Sequence, residues 1–349
     1  MHRRSTTAPI FSAMLAMLTV ATSAAAGTSD GFRALLAFSP AAVNPPRREL
    51  IHFADLTVAQ AITGRRGVEA LMALGRRLVF AFPSHVLVDR SEAWPEKTGF
   101  ALSEVEASMV FGTPPGDVRL YRLAPAVESE TLSRVWSARG FSRLTADGTA
   151  LWGRGQPGRM DISKRDPDDP FGGMFGRSSF LLHAPPVIAE SASPDSLAAA
   201  EKARAAGGLA ARADAAALLA RLERGGGRLL QAMLVPEPAA LLTAANGMAQ
   251  YTLLLLADID RGTRTETLLA LAFADCAAAR AGKEEISERW LKQSQEIASL
   301  APLWQAAEDS GRCVLLGRID AGSDNAAFRA LYSAFITRKL SALEMRPPR

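Results

Sequence analysis

Chemistry is suggested first by Trp152-Gly153-Arg154-Gly155-Gln156-Pro157-Gly158, which contains the spacing G-x-G-x-x-G. In a dinucleotide-binding turn such glycines follow a strand and open a helix, whose N-terminus then meets a pyrophosphate. Here a strand before the glycines is plausible, but the residues after Gly158, RMDISKRDPDDPFGGMFGRSS, carry two prolines and three more glycines. They read as a long loop joining two strands, and the phosphate-cradling reading is set aside. Asp166, Asp168 and Asp169 cluster in that loop. A calcium loop would need acids at alternating positions, a central glycine and a closing glutamate, so the cluster reads as solvated. Phe171, Met174 and Phe175 would form a small contact surface if they are not tucked back onto the fold.

Other chemical patterns fail on context. Lys97-Thr98-Gly99 and Ser323-Asp324-Asn325 spell two penicillin-recognising triplets, but in the wrong order and with no S-x-x-K in the chain. Beyond residue 26 the histidines are His52, His85 and His183, and no H-E-x-x-H, C-x-x-C or G-x-S-x-G accompanies them. No catalytic residue, cofactor ligand or metal ligand is therefore assigned.

The compartment follows from the first residues. Arg3 and Arg4, an apolar run from Ile10 to Ala21 and Ala24-Ala25-Ala26 have the layout of a secretory signal cleaved near Ala26. The run is about a dozen residues, short of the roughly 20 that span a bilayer. The expectation is a periplasmic or secreted protein with no transmembrane anchor in the mature chain. Removing the two arginines lowers the formal charge from +4 to +2, and no block of like charges remains, which argues against nucleic-acid binding. Cys276 and Cys313 are the only cysteines, and in an oxidising compartment the pair is expected to form a disulfide.

The elements that must position these residues alternate between two grammars. Residues 27–49 form a proline-containing opening segment. LIHFADL is extended, two helical patches follow to about Phe82, and HVLVD alternates like a strand. Ser103 and Glu106 have capping-box spacing before a strand near Met109. DVRLYRLA reads as a strand, SETLSRVWSARGF as an amphipathic helix, and Asp147-Gly148 as a hairpin turn. SSFLLHAPPVIAESAS reads as two strands, and the Ala/Leu-rich span 197–222 as helices that pack on a sheet. Beyond the glycines at 225–227, RLLQAMLVPE, a hairpin turning at Arg261-Gly262, a helix from Cys276, the strand GRCVLLGRIDA and a closing helix capped by Ser323 or Asp324 follow.

The fold class expected is α+β: two similar units, 50–222 and 223–349, each a mostly antiparallel sheet with helices on one face in a ferredoxin-like order. The functional expectation is a noncatalytic binding, scaffold or assembly factor of the cell envelope, with an envelope protein or an apolar ligand as partner. Two alternatives stand beside it. One is a hydrolase built on His52, His85 or His183, and the other is an inhibitor or regulator docking through the loop 159–177.

Overall fold

A computed structural model describes residues 29–42, 49–79, 90–248, 250–309 and 311–346. The secretory-signal reading, the HVLVD strand and His85 fall outside the described residues.

The chain is α+β and is organised by one antiparallel sheet of 12 strands. In chain order its strands are β1 (Ile51–Asp55), β2 (Val105–Phe111), β3 (Val118–Leu123), β4 (Ser142–Ala146), β5 (Thr149–Arg154), β6 (Ser179–Ala184), β7 (Val187–Ser191) and β8 (Arg228–Val235). A separate short strand, β9 (Thr243–Met248), lies outside the sheet, and β10 (Leu253–Asp260), β11 (Thr265–Phe273), β12 (Leu303–Asp309) and β13 (Arg312–Ala321) complete it. The order across the sheet is β12-β13-β11-β10-β8-β1-β2-β3-β7-β6-β5-β4.

The expectation of two separate sheets is corrected by the seam between β1 and β8. Phe53 stands opposite Met109 of β2 on one side and Ala232 of β8 on the other, so β1 is paired along both edges. Two independent sheets would each have left a row of backbone donors and acceptors exposed there, and antiparallel pairing satisfies both rows at once.

Helices cover both faces, not one, and the strand patterns explain why. In β10 every residue is buried, because the period of two sends alternate residues to opposite cores. Leu253, Leu255, Ala257 and Ile259 join one core; Leu254 and Leu256 join another. The first face carries the helices Asp30–Leu36, Pro194–Ala205 and Ala213–Gly225. On the opposite face, Leu56–Thr63, Gly67–Leu74, Trp94–Thr98 and Ser129–Ala138 lie over one half, and Cys276–Trp290 and Ala326–Ile336 over the other. A ferredoxin-like order is not confirmed either: β1, β2 and β3 are neighbours in the sheet in chain order, as are β8, β10 and β11 on the other side of the seam.

The same periodicity places Asp258 on the face of Leu254 and Leu256, where it is fully buried. Arg77 meets it through two hydrogen bonds of 3.2 and 3.0 Å, and Asn325 donates to it at 2.7 Å. Asn325 also accepts from Thr267 at 2.6 Å and from the backbone of Phe328, so it is Asn325, and not Ser323 or Asp324, that caps the last helix. This network ties the segment before residue 79 and the last helix to the same two strands. A buried charge left without its partner would be strongly destabilising.

Two local expectations change. Glu104, not Glu106, reaches back to the Ala101 N–H at 2.6 Å and closes a single short turn, because Glu106 already belongs to β2. The opening segment contains the helix Asp30–Leu36, whose Phe32 packs on Phe53 at 4.9 Å between ring centres. Cys276 begins its helix and Cys313 lies in the adjacent β13; they are disulfide-bonded with Cα atoms 4.9 Å apart. The bridge staples that helix to the sheet.

Candidate functional site

The loop from Gly155 to Ser178 folds back on itself beside the end of β5. Gly155 and Gly158 adopt positive φ, and no α-helix opens after them, so the G-x-G-x-x-G spacing serves a turn. The returning limb runs antiparallel to the outgoing one: Met160 bridges Arg177, and the Asp161 N–H donates to Gly176 O at 2.9 Å. A Cβ at 176 would overlap the Asp161 carbonyl oxygen, so glycine is what allows the limbs to close.

The aspartates expected to be solvated instead clamp the loop to the end of β5 and to the helices Trp94–Thr98 and Ser129–Ala138 beside it. Asp169 is buried, accepts from Arg139 at 2.5 Å and from the Phe171 N–H at 2.9 Å, and is also bonded by Arg154. Asp166 accepts from Lys97 at 2.6 Å, and Asp168 pairs with Arg90 at 2.5 Å. Burial would raise the Asp166 pKa, but Lys97 and the Asp168 N–H hold it below the usual value. Among the described residues no cluster of acids, histidines or cysteines is arranged to hold a metal ion.

Phe171, Met174 and Phe175 do not share one exposed surface. Phe171 is fully buried against Phe100 and Tyr121, because the Asp169 clamp draws it inward. Phe175 is exposed, and the Met174 side chain lies outside the described part of the structure.

Between the limbs and the end of β5 is a cavity of about 600 Å³, lined among others by Arg154, Arg159, Asp161, Lys164, Arg177 and Ser178. Four cations therefore face one carboxylate. Arg154 and Arg177 are held in place from behind. Arg154 bonds Asp169, while Arg177 lies 3.4 Å from Asp117 and 3.5 Å from Glu190. Glu190 is itself fully buried beneath the cavity floor; burial raises its pKa, and Arg119, 3.0 Å away, and Arg177 act to lower it. Ser178 is 4 % exposed, and its Oγ has no hydrogen-bond partner among the described residues. Buried hydroxyls are ordinarily bonded; the Ser178 residue lines the cavity, while its Oγ is shut off from solvent. Preset guanidinium groups and an ammonium group together offer multidentate binding to a carboxylate or phosphate.

Among the described residues, neither His52 nor His183 lines this site. His52 on β1 packs edge-on against Tyr332, and burial lowers its pKa to about 4. His183 on β6 stands edge-on to Trp136, its pKa lowered by burial and then by Arg143. Three strands separate β1 from β6 in the sheet.

Sequence reasoning missed Arg159, Lys164, Arg177 and Ser178 as a set. The available signal was the interleaving of cations with glycines at 154–178, which is meaningful only once the two limbs are paired. The chain matches no protein-family model, no curated protein and no solved structure at a significant level.

Proposed function

We propose that this protein is a noncatalytic binding protein of the cell envelope that receives an anionic, oxygen-rich group in the cavity of the 155–178 loop. The observation that carries this reading is the set of four cations lining one cavity against a single carboxylate, two of them oriented by buried carboxylates. Such preorganisation removes much of the entropy cost of ordering long side chains when a ligand binds.

The two-unit reading belongs to the same proposal. Outward from the seam, β1-β2-β3-β7-β6 on one side and β8-β10-β11-β13-β12 on the other place their strands alike. A helix follows the third strand in each case, Ser129–Ala138 and Cys276–Trp290. Between that helix and the next shared strand, one half has the β4–β5 hairpin and the cavity loop, and the other has only residues 291–302. The cavity thus sits on an elaboration of one unit, where a repeated scaffold acquires a site without altering its core. The signal at residues 1–26 and the Cys276–Cys313 bridge support an oxidising compartment.

Isothermal titration with inorganic phosphate at low ionic strength tests the reading. Saturable binding that weakens roughly tenfold in Arg159→Ser, the loss of one charged hydrogen bond, is expected. No heat from the parent protein, or equal heat from the variant, refutes it.

A further inference from the structure

We propose that the tip of the 159–177 loop docks on an anionic phospholipid surface, with a lipid phosphate in the cavity and Met160, Ile162 and Phe175 seated at the acyl boundary. This rests on the reading of the cavity as an anion site and names the source of the anion.

The apolar side chains come from both limbs. The Met160–Arg177 bridge and the Asp161-to-Gly176 bond set a register in which residue 162 stands across from residue 175. Both side chains then project from neighbouring short turns, Ile162–Lys164 and Gly173–Phe175. Met160, Ile162 and Phe175 are 65, 76 and 64 % exposed. Among the described residues, the other large exposed apolar residues, Met72, Leu291, Leu303 and Ile336, sit on separate elements, and this loop concentrates three. The tip is also held stiffly from below, with Lys97, Arg90 and Arg139 paired to Asp166, Asp168 and Asp169.

Charge decides what covers these residues. Arg159 and Lys164 line the cavity and lie within the same stretch as Met160 and Ile162. A free anion would occupy the cavity and leave the apolar tip in water. A bilayer surface presents phosphate oxygens immediately above hydrocarbon, in the layering that the loop presents in reverse. Basic residues beside large apolar anchors are the combination that seats a peripheral protein at that boundary.

The test is sedimentation of the whole protein with vesicles of phosphatidylcholine alone or with about one third phosphatidylglycerol, alongside titration with inorganic phosphate. Partitioning at least tenfold stronger onto the anionic vesicles is expected. Replacing Met160, Ile162 and Phe175 together by Ser should reduce that partitioning at least tenfold and leave phosphate binding unchanged. Arg159→Ser should weaken both. Phosphate binding without vesicle binding overturns the lipid inference and leaves the cavity reading standing; loss of both removes both. Vesicle binding indifferent to the triple substitution also overturns the inference, since charge alone would then account for it. If the triple variant unfolds, Phe175→Ser alone supplies the comparison, with a smaller loss expected and no loss refuting.

Discussion

His52 gives the fold a defined acid sensitivity. Its imidazole is half-buried beside Tyr332, and burial brings its pKa to about 4, against 6.5 for the free side chain. At pH 7 the ring is neutral in both folded and unfolded chains. As the pH falls below 6.5 the unfolded chain takes up the proton first, so unfolding is favoured by about 1.4 kcal/mol for each pH unit down to about 4. Between pH 7 and pH 5 the loss attributable to this one ring is about 2 kcal/mol, and at still lower pH it levels off near roughly 3 kcal/mol. His52→Leu removes the titration. Urea denaturation of parent and variant at pH 7 and pH 5 isolates it, because groups common to both chains, such as His183 and Glu190, cancel in the double difference. The variant should lose about 2 kcal/mol less than the parent between the two pH values. Parallel losses in the two proteins would show that His52 is solvated in the fold and would refute its burial beside Tyr332.

Three further outcomes follow from named contacts. Replacing Cys276 and Cys313 by Ser opens a loop of sequence separation 37 and should cost about 4 kcal/mol by chain entropy, read from guanidinium unfolding; a cost near zero would contradict a stabilising bridge. Asp169→Asn leaves Arg139 and Arg154 without their shared buried carboxylate. It should cost about 3 kcal/mol and speed amide exchange across 159–177, and unchanged exchange would show that the clamp does not hold the loop. Gly176→Ala places a Cβ against the Asp161 carbonyl at a residue with φ of 60°. It should part the limbs and weaken phosphate binding at least tenfold by titration, with little effect on the cores; unaltered binding would mean that the paired limbs do not shape the cavity.

Local structure was legible where a residue type has only one way to satisfy the backbone. Asp147-Gly148 announces the β4–β5 turn because both residues sit at positive φ, 47° and 78°. The apolar run before Asp258 announces a buried strand, and an isolated pair of cysteines announces a bridge. Pairing between distant strands is another matter. Nothing in LIHFADL indicates that its second edge belongs to β8. β12, LWQAAED, is an edge strand whose residues are largely exposed, and it lacks the branched apolar run that marks its neighbours. The candidate site shows the same limit. Asp166, Asp168 and Asp169 look solvated when their only visible neighbours are one another. Their partners Lys97, Arg90 and Arg139 lie far along the chain, and only tertiary packing makes the group a clamp. Phe171 was expected to be surface for the same reason and is instead drawn under the loop with Asp169.

The cavity is most directly tested by diffraction from crystals soaked in tungstate, a heavy analogue of phosphate. An anomalous peak is expected within hydrogen-bond reach of the Arg159 and Arg177 guanidinium groups, between the two limbs of the 155–178 loop. A cavity without that peak, with tungstate bound elsewhere on the protein, would contradict it.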